Sequence, residues 1–183
     1  NSFTHKYTVA GTYTPSFTVT DSGGLSASLD AMTTTVTAPV SAIPPTITAT
    51  LDSVLTGPSV YAGLTPGAVV GAYKLTNGSS EGVTVNAVAV TLGGVSFQNL
   101  KVVADTLLFG STQASAVSGG SYTFNGALNI PAGQTKTVYV IADTPSGTNP
   151  GIYSSVTTLA SCVGVGVSTS LSARCNAVSG QPL

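Results

Sequence analysis

Short segments of alternating apolar and polar residues, separated by clusters of Gly, Asn, Ser and Pro, divide most of this chain. Alternation with a period of two places side chains on the two faces of a β-strand. No segment longer than about ten residues has the i, i+3, i+4 apolar spacing of an amphipathic helix. The pattern therefore predicts an all-β chain with almost no helix. Strands are predicted near 46–52, 69–76, 82–92, 98–104, 121–128, 135–143, 152–160 and 165–174.

The scarcity of charge narrows the classes of function. Only 6% of the 183 residues are charged, against roughly 25% in an average soluble domain. Five Lys and Arg residues cannot form the basic surface that nucleic acid requires, because affinity there grows with the number of phosphates neutralised. The sequence has no run of about 18 apolar residues, so we expect no helical membrane span in this segment.

The titratable residues do not suggest a catalytic site. His5 is the one histidine of the chain, and no Gly-x-Ser-x-Gly motif accompanies it. A Ser-His-Asp triad would have to use His5, which is better explained as a hydrogen-bonding residue at the start of a strand. We therefore expect a chain that is not an enzyme, with no catalytic and no cofactor-binding residues.

Two similar segments, VVADT at 102–106 and VIADT at 140–144, each end an apolar strand with an aspartate. Asp105 and Asp143 are candidate Ca²⁺ ligands, because hard cations bind several oxygen atoms. No calcium-loop motif accompanies them. The favoured interpretation is that each aspartate caps a turn at the end of its strand, so no cofactor is expected.

Cys162 and Cys175 flank the segment VGVGVSTSLSAR, which alternates like a pair of strands. We predict a disulfide that closes a hairpin, because a composition rich in Ser and Thr and poor in Lys favours an exported protein. Two buried free thiols are the alternative. Asn77 begins an Asn-Gly-Ser sequon, which makes it a candidate glycosylation site. Asn-Gly is also a preferred hairpin dipeptide, and the turn is the favoured interpretation.

Tyrosines are the candidate residues for binding glycans, since Trp is absent from the chain. A carbohydrate-binding surface needs exposed aromatic rings. Most of these tyrosines stand at alternating strand positions, which favours a role in the core or in cross-strand pairs. The candidates are Tyr61, Tyr73, Tyr122, Tyr139 and Tyr153.

The N-terminal residues 5–38 predict a β-hairpin with one polar and one apolar face, turning at Asp-Ser-Gly-Gly. The sequence HKYTVAGTYTPSFTVTDSGG resembles the second half of a PKD domain, with its His-x-Tyr, Gly-x-Tyr and aromatic-Thr-Val-Thr-Asp elements. The resemblance implies an Ig-like sandwich. The Trp-Asp-x-Gly-Asp-Gly segment of the family's first half is missing. Either the missing strands precede Asn1, or another chain supplies them.

Consecutive prolines in 40–45 predict a linker, because proline cannot donate to a sheet ladder. The expected organisation is a partial PKD-like module over 1–39 and a complete Ig-like β-sandwich over 46–183. Around TATLD, NLKVVAD and IPAGQTKTVYVIAD, the second module resembles β-sandwich repeats of large bacterial surface proteins. That resemblance implies a place in a surface layer, a stalk or a pilus-like appendage.

These observations favour a structural extracellular protein of the cell surface that assembles by β-sandwich packing or strand exchange. A surface with little charge lacks the repulsion that keeps monomers apart, and edge strands without Lys can pair with another chain. The expected partners are copies of this chain or neighbouring surface-protein domains. The alternatives are a carbohydrate-binding or adhesion module of a secreted enzyme, with glycans as ligands, and a viral Ig-like decoration or tail protein.

Overall fold

The computed structural model describes residues 4–30, 32–38, 42–55, 65–145 and 156–180. These residues form thirteen β-strands and no helix, which confirms the predicted all-β fold. The chain divides into two compact units, Asn1–Ala42 and Ile43–Leu183, and the boundary falls inside the predicted linker. Among the described residues, no helix is long and apolar enough to cross a membrane.

The described residues of the N-terminal unit form a hairpin whose two arms carry two separate, nested two-stranded sheets. Its outer pairing places Tyr13 opposite Thr34, and its inner pairing places Ser16 opposite Asp30. Two residues separate these pairs on the first strand and three on the second, so the register shifts by one. The strands are β1 (Gly11–Tyr13), β2 (Ser16–Thr20), β3 (Ser26–Asp30) and β4 (Thr34–Val36), with β1 antiparallel to β4 and β2 to β3.

The C-terminal unit is a sandwich of two antiparallel sheets. Sheet A has the strand order β5-β6-β11-β8-β9, and sheet B has the order β10-β7-β12-β13. The chain passes from sheet A to sheet B between β6 and β7 and returns between β7 and β8. The strands are β5 (Ile47–Leu51), β6 (Ala68–Asn77), β7 (Val83–Gly93), β8 (Phe97–Ala104), β9 (Leu107–Ala116), β10 (Ser121–Ile130), β11 (Thr135–Asp143), β12 (Val156–Gly166) and β13 (Ser172–Arg174).

The core lies between the two sheets and is built from the inward residues of each strand. On β11, Val138 and Val140 are fully buried, while the residues that alternate with them, Tyr139 and Ile141, are only half-buried. This is the alternation that the sequence predicted for 135–143. The largest side chains of the core that are fully buried are Tyr73, Phe124, Leu75, Leu100, Ile130 and Leu159.

Strand β9 was not predicted from the sequence. Of its ten residues, LLFGSTQASA, only Phe109 and Ala116 are buried. The strand lies at the edge of sheet A with β8 as its one partner in that sheet. Because most of its side chains face solvent, the segment lacks the apolar alternation by which the other strands were found.

The last two predicted strands, 152–160 and 165–174, have the wrong boundaries. Residues 152–155 lie outside the described part of the chain, and β12 continues through the expected break to Gly166. Gly164 in that stretch does not lie in a turn. It lies where the backbone of β12 comes very close to that of β7. A Cβ atom there would lie 2.5 Å from the carbonyl oxygen of Thr84 on the neighbouring strand β7, so only glycine allows the two backbones to come this close.

Two glycines allow the edges of the two sheets to meet where β9 of sheet A passes β10 of sheet B. Gly110 on β9 has a φ of 83°, and a Cβ atom there would lie 2.8 Å from the backbone oxygen of Asn125 on β10. A Cβ on Gly126 of β10 would lie 2.8 Å from the ring of Phe109. The buried ring of Phe109 therefore packs directly on Gly126, and the two sheets are in contact along this side of the sandwich.

We predict that Gly110→Ala destabilises the C-terminal unit more than Gly119→Ala does. Both glycines have positive φ, but a Cβ on Gly119 meets no atom within 4 Å. Backbone strain alone is about 1–2 kcal/mol, and crowding against β10 adds about 1–3 kcal/mol. Urea unfolding of the two variants measures the difference. Equal losses of unfolding free energy would show that the approach of β9 to β10 is not tight.

Candidate functional site

The hairpin of β2 and β3 has one apolar face. Cross-strand pairing places Phe17 opposite Leu29 and Val19 opposite Ala27, and residues two apart on a strand share a face. These four residues form what we call the hairpin face. Phe17 is 50% exposed, Val19 71% and Leu29 75%, so the described residues of this unit do not cover the apolar surface.

The opposite face of the same hairpin carries mainly hydroxyl side chains, together with Asp30 opposite Ser16. Thr18 and Ser28 share a hydrogen bond of 2.8 Å between their side-chain oxygens, and Thr20 and Ser26 share one of 2.7 Å. Cross-strand pairs of this kind contribute a few tenths of a kcal/mol to about 1 kcal/mol each. They fix the register, and the register in turn places all four apolar side chains on one side.

The turn at the end of the hairpin is the one that the sequence predicted. Asp21 Oδ1 accepts hydrogen bonds from the backbone N–H groups of Gly23 and Leu25, at 2.8 and 2.9 Å. Gly24 has a φ of 83°, which glycine adopts without steric strain. The prediction of a hairpin turning at Asp-Ser-Gly-Gly is confirmed.

Three aromatic rings cluster in the same unit. The rings of Tyr7 and Tyr13 stack with their centroids 4.3 Å apart, and His5 meets Tyr7 edge-on at 4.7 Å. The Tyr13 hydroxyl donates to the backbone oxygen of Val9 at 2.8 Å. His5 thus contacts the ring of Tyr7 and, through it, belongs to this aromatic cluster.

No residue of the described part of the N-terminal unit, 4–30 and 32–38, is buried. An isolated two-stranded hairpin is marginally stable in water, and independent stability needs at least a third strand or a packed face. Cross-strand hydroxyls and a capped turn give this hairpin its shape, but its apolar side chains have no cover within the unit. Among the described residues of this unit, the hairpin face is therefore an apolar surface without a packing layer.

The two candidate Ca²⁺ ligands lie at opposite ends of the antiparallel pair β8 and β11, so they do not share a site. Asp105 accepts a 2.6 Å ion-pair hydrogen bond from Lys136 Nζ. Asp143 accepts hydrogen bonds from Asn99 Nδ2 at 2.6 Å and from the N–H of Gly67 at 2.7 Å. The Asn99 bond, followed by the Gly67 bond, lowers the pKa of Asp143. Within the described ranges, no group of three His, Cys, Asp or Glu side chains could hold a metal ion.

Asn77 is completely buried and does not lie in a two-residue hairpin turn, because the loop after it crosses from sheet A to sheet B. Its Nδ2 donates to the backbone oxygens of Glu81 at 2.8 Å and of Ile130 at 2.9 Å. Its Oδ1 accepts from the N–H of Ser79 at 3.0 Å. A side chain enclosed in this way leaves no room for a glycan in the folded chain, and the sequon reflects a structural asparagine.

The predicted disulfide between Cys162 and Cys175 is confirmed. It closes the antiparallel hairpin of β12 and β13, whose register places Val163 opposite Arg174. Cys162 is 1% exposed and belongs to the core. The bond therefore ties the short edge strand β13 to a central strand of sheet B.

The carboxylate of Glu81 holds the turn of that disulfide hairpin. It accepts hydrogen bonds from the N–H of Ser168 at 2.7 Å and from the N–H and hydroxyl of Thr169 at 3.0 and 2.6 Å. The Thr169 hydroxyl bond is the main cause of a lowered pKa for Glu81. The crossover loop and the hairpin turn are thus joined through one charged group.

The tyrosines do not form an exposed row among the described residues. Tyr73 is fully buried and donates from its hydroxyl to the backbone oxygen of Thr157 at 2.5 Å, across the two sheets. Burial raises its pKa. Tyr122 is half-buried, and its hydroxyl accepts from the N–H of Val117 at 2.6 Å. Tyr139 is half-buried on β11. Tyr61 and Tyr153 lie outside the described residues.

The sequence matches no protein-family model, and a search of curated proteins finds no significant match.

We predict that Asn77→Ala lowers the free energy of unfolding by about 3 kcal/mol. The substitution leaves the oxygens of Glu81 and Ile130 without their donor, and each buried polar group without a partner costs about 1–3 kcal/mol. Asn86→Ala is the control, because Asn86 is an exposed asparagine on β7. Denaturant unfolding measures both variants. Similar small losses would contradict a bridging role for Asn77.

We predict that Glu81→Gln lowers the melting temperature at pH 7 but not in acid. The folded pKa of Glu81 lies below its unfolded value, so its ionised form stabilises the fold above the unfolded pKa. That contribution is lost as the pH falls through the folded pKa. Calorimetry between pH 7 and pH 3 should show the melting temperatures of wild type and variant converging. A difference in melting temperature that does not change with pH would show that the effect of the substitution does not come from the ionisation of Glu81.

Proposed function

We propose that this chain is a structural protein of the extracellular or cell-surface space, and that it assembles with further copies through its hairpin face. The observation that carries the proposal is an ordered apolar surface, formed by the exposed residues Phe17, Val19, Ala27 and Leu29, in a unit whose described residues include none that is buried. Apolar surface of this kind on an otherwise folded chain marks an interaction site.

The energy available from covering this face is sufficient for association. Burying a Val, Leu or Phe side chain contributes about 1.5–3 kcal/mol. Phe17, Val19 and Leu29 together can therefore contribute about 5 kcal/mol or more before the losses of association are subtracted. A partner that packs on the hairpin would also give it the additional layer that a two-stranded ribbon needs.

The charge distribution supports self-association rather than binding to an oppositely charged partner. The net charge is −1, so copies of the chain repel one another weakly. In the hairpin, the four residues of the apolar face carry no charge, and the opposite face presents mainly hydroxyl groups. Shape and apolar contact, rather than ion pairs, would then select the partner.

The disulfide supports an oxidising location. Structural disulfides persist in secreted and surface proteins and are rare in reducing compartments. Cys162 and Cys175 join two strands of one sheet near its edge, which is a structural position. A subunit exposed outside the cell benefits from such a covalent link, because it restricts the unfolded chain.

The test is the concentration dependence of assembly. We expect the wild-type chain to self-associate in analytical ultracentrifugation, and the dissociation constant to rise at least about tenfold in Leu29→Ser, since a lost apolar contact of about 1.4 kcal/mol corresponds to a factor of ten. Leu107→Ser is the matched control, because Leu107 on β9 has the same 75% exposure as Leu29.

Three results would contradict the proposal. The wild-type chain could remain monomeric at all accessible concentrations, Leu29→Ser could assemble like the wild type, or Leu107→Ser could weaken assembly as much as Leu29→Ser. The last result would mean that general surface hydrophobicity, rather than the hairpin face, drives association.

A further inference from the structure

The chain contains two Asn-Gly dipeptides, Asn77-Gly78 and Asn125-Gly126. In such a dipeptide the backbone nitrogen of glycine can attack the side-chain carbonyl carbon of asparagine, because glycine has no side chain that obstructs the approach. A C–N bond forms, ammonia leaves, and water opens the resulting succinimide ring to aspartate or isoaspartate. The reaction requires that the glycine nitrogen and the asparagine side chain can both move.

At Asn77 the fold holds both reacting groups. The side chain is completely buried. Its Nδ2 donates to the backbone oxygen of Ile130 at 2.9 Å, and its Oδ1 accepts from the N–H of Ser79 at 3.0 Å. The N–H of Gly78 donates to the backbone oxygen of Thr46 at 3.1 Å. The glycine nitrogen therefore cannot reach the side-chain carbon unless this network breaks.

At Asn125 the surroundings of the same dipeptide are different. Asn125 is exposed, and among the described residues its side-chain amide has no hydrogen-bond partner. It lies on β10, an outer strand of sheet B whose one partner in that sheet is β7. The pairing reaches Asn125 opposite Ala87 and resumes only at Leu128. The intervening Gly126 and Ala127 form a β-bulge, where the ladder is locally disrupted.

We propose that Asn125 is a site of spontaneous deamidation, and that isoaspartate formed there releases β9 from β10. The two strands have no spare room at this point. A Cβ atom on Gly110 of β9 would lie 2.8 Å from the backbone oxygen of Asn125 and 3.0 Å from its nitrogen. Isoaspartate adds one methylene group to the backbone here and displaces Gly126, on which the ring of Phe109 packs. A tightly packed contact does not accept an additional methylene without moving apart.

The inference does not depend on the proposed function, and the full-length chain tests it. The folded protein is incubated at mildly alkaline pH, which favours loss of the proton from the attacking nitrogen. Tryptic cleavage after Lys74, Lys101 and Lys136 places the two dipeptides in separate peptides, 75–101 and 102–136. Mass spectrometry with fragmentation follows the conversion of each asparagine to an acid, and the same incubation in urea gives the rates without the fold.

In the folded chain we expect Asn125 to deamidate at least about tenfold faster than Asn77, because breaking even one hydrogen bond at Asn77 can lower the reactive population by about tenfold. In urea the two rates should be similar. Asn125→Gln is the control for the site, since its longer side chain does not form the succinimide ring.

The structural consequence is measured on the product. Ion exchange separates the aged protein by its additional negative charge, and NMR reports whether the ring of Phe109 still contacts the α protons of Gly126. We expect the isoaspartate form to lose this contact and to melt at a lower temperature than the unmodified chain. Asn125→Asp has the same charge without the additional methylene, so it should keep the contact.

The site would be refuted by a folded chain in which Asn125 reacts no faster than Asn77. The release of β9 would be refuted by an isoaspartate form that keeps the contact between Phe109 and Gly126, or by an Asn125→Asp variant that loses it to the same extent. These results leave the hairpin-face proposal standing, because residues 1–42 contain no Asn-Gly dipeptide.

Discussion

The sandwich of the C-terminal unit depends on one buried amide. Asn77 ends strand β6 in sheet A, and its side chain donates to the backbone of Ile130, which ends strand β10 in sheet B. The same amide nitrogen bonds Glu81 in the loop that crosses between the sheets. A buried polar group is tolerated only when it is fully bonded, so this network permits one placement of the loop and one alignment of the two strand ends.

The two units differ in how their apolar side chains and strand edges are covered. In the C-terminal unit, apolar side chains are enclosed between sheets, Gly110 brings β9 against β10, and the side chain of Asn176 bonds the backbone of Ala49 at the middle of β5. In the N-terminal unit, the cross-strand hydroxyl pairs stabilise a ladder but enclose nothing. The described residues of the C-terminal unit thus enclose their large apolar side chains, whereas those of the N-terminal unit form an ordered apolar surface without a packing layer.

The sequence was sufficient for features that depend on neighbouring residues. Alternation located β11, where Val138 and Val140 face the core, and Asp-Ser-Gly-Gly located the hairpin turn. The disulfide followed from two cysteines at the ends of one alternating segment. In each case the pattern that decides the structure lies within about fifteen residues, where side-chain periodicity and turn chemistry act directly.

The sequence was insufficient where the deciding partner is remote. The sequence favoured a hairpin turn for Asn-Gly-Ser, with a sequon as the alternative, but the role of Asn77 is set by a carbonyl 53 residues away. Asn176 gives no local signal, since its partner Ala49 is 127 residues distant. Strand β9 escaped prediction because an edge strand needs few buried residues.

The contacts of the few charged side chains show where charge lies in the fold. Lys136 pairs with Asp105, Lys74 lies 3.4 Å from Asp52, and Glu81 holds a backbone turn. These charges stabilise strand ends and loops, where water can still reach most of them. In the hairpin of β2 and β3, the one charged side chain of the ladder, Asp30, lies opposite Ser16 on the face that carries the hydroxyl groups. The hairpin face is left without charge, so the interaction that it offers to another surface is apolar contact rather than ion pairing.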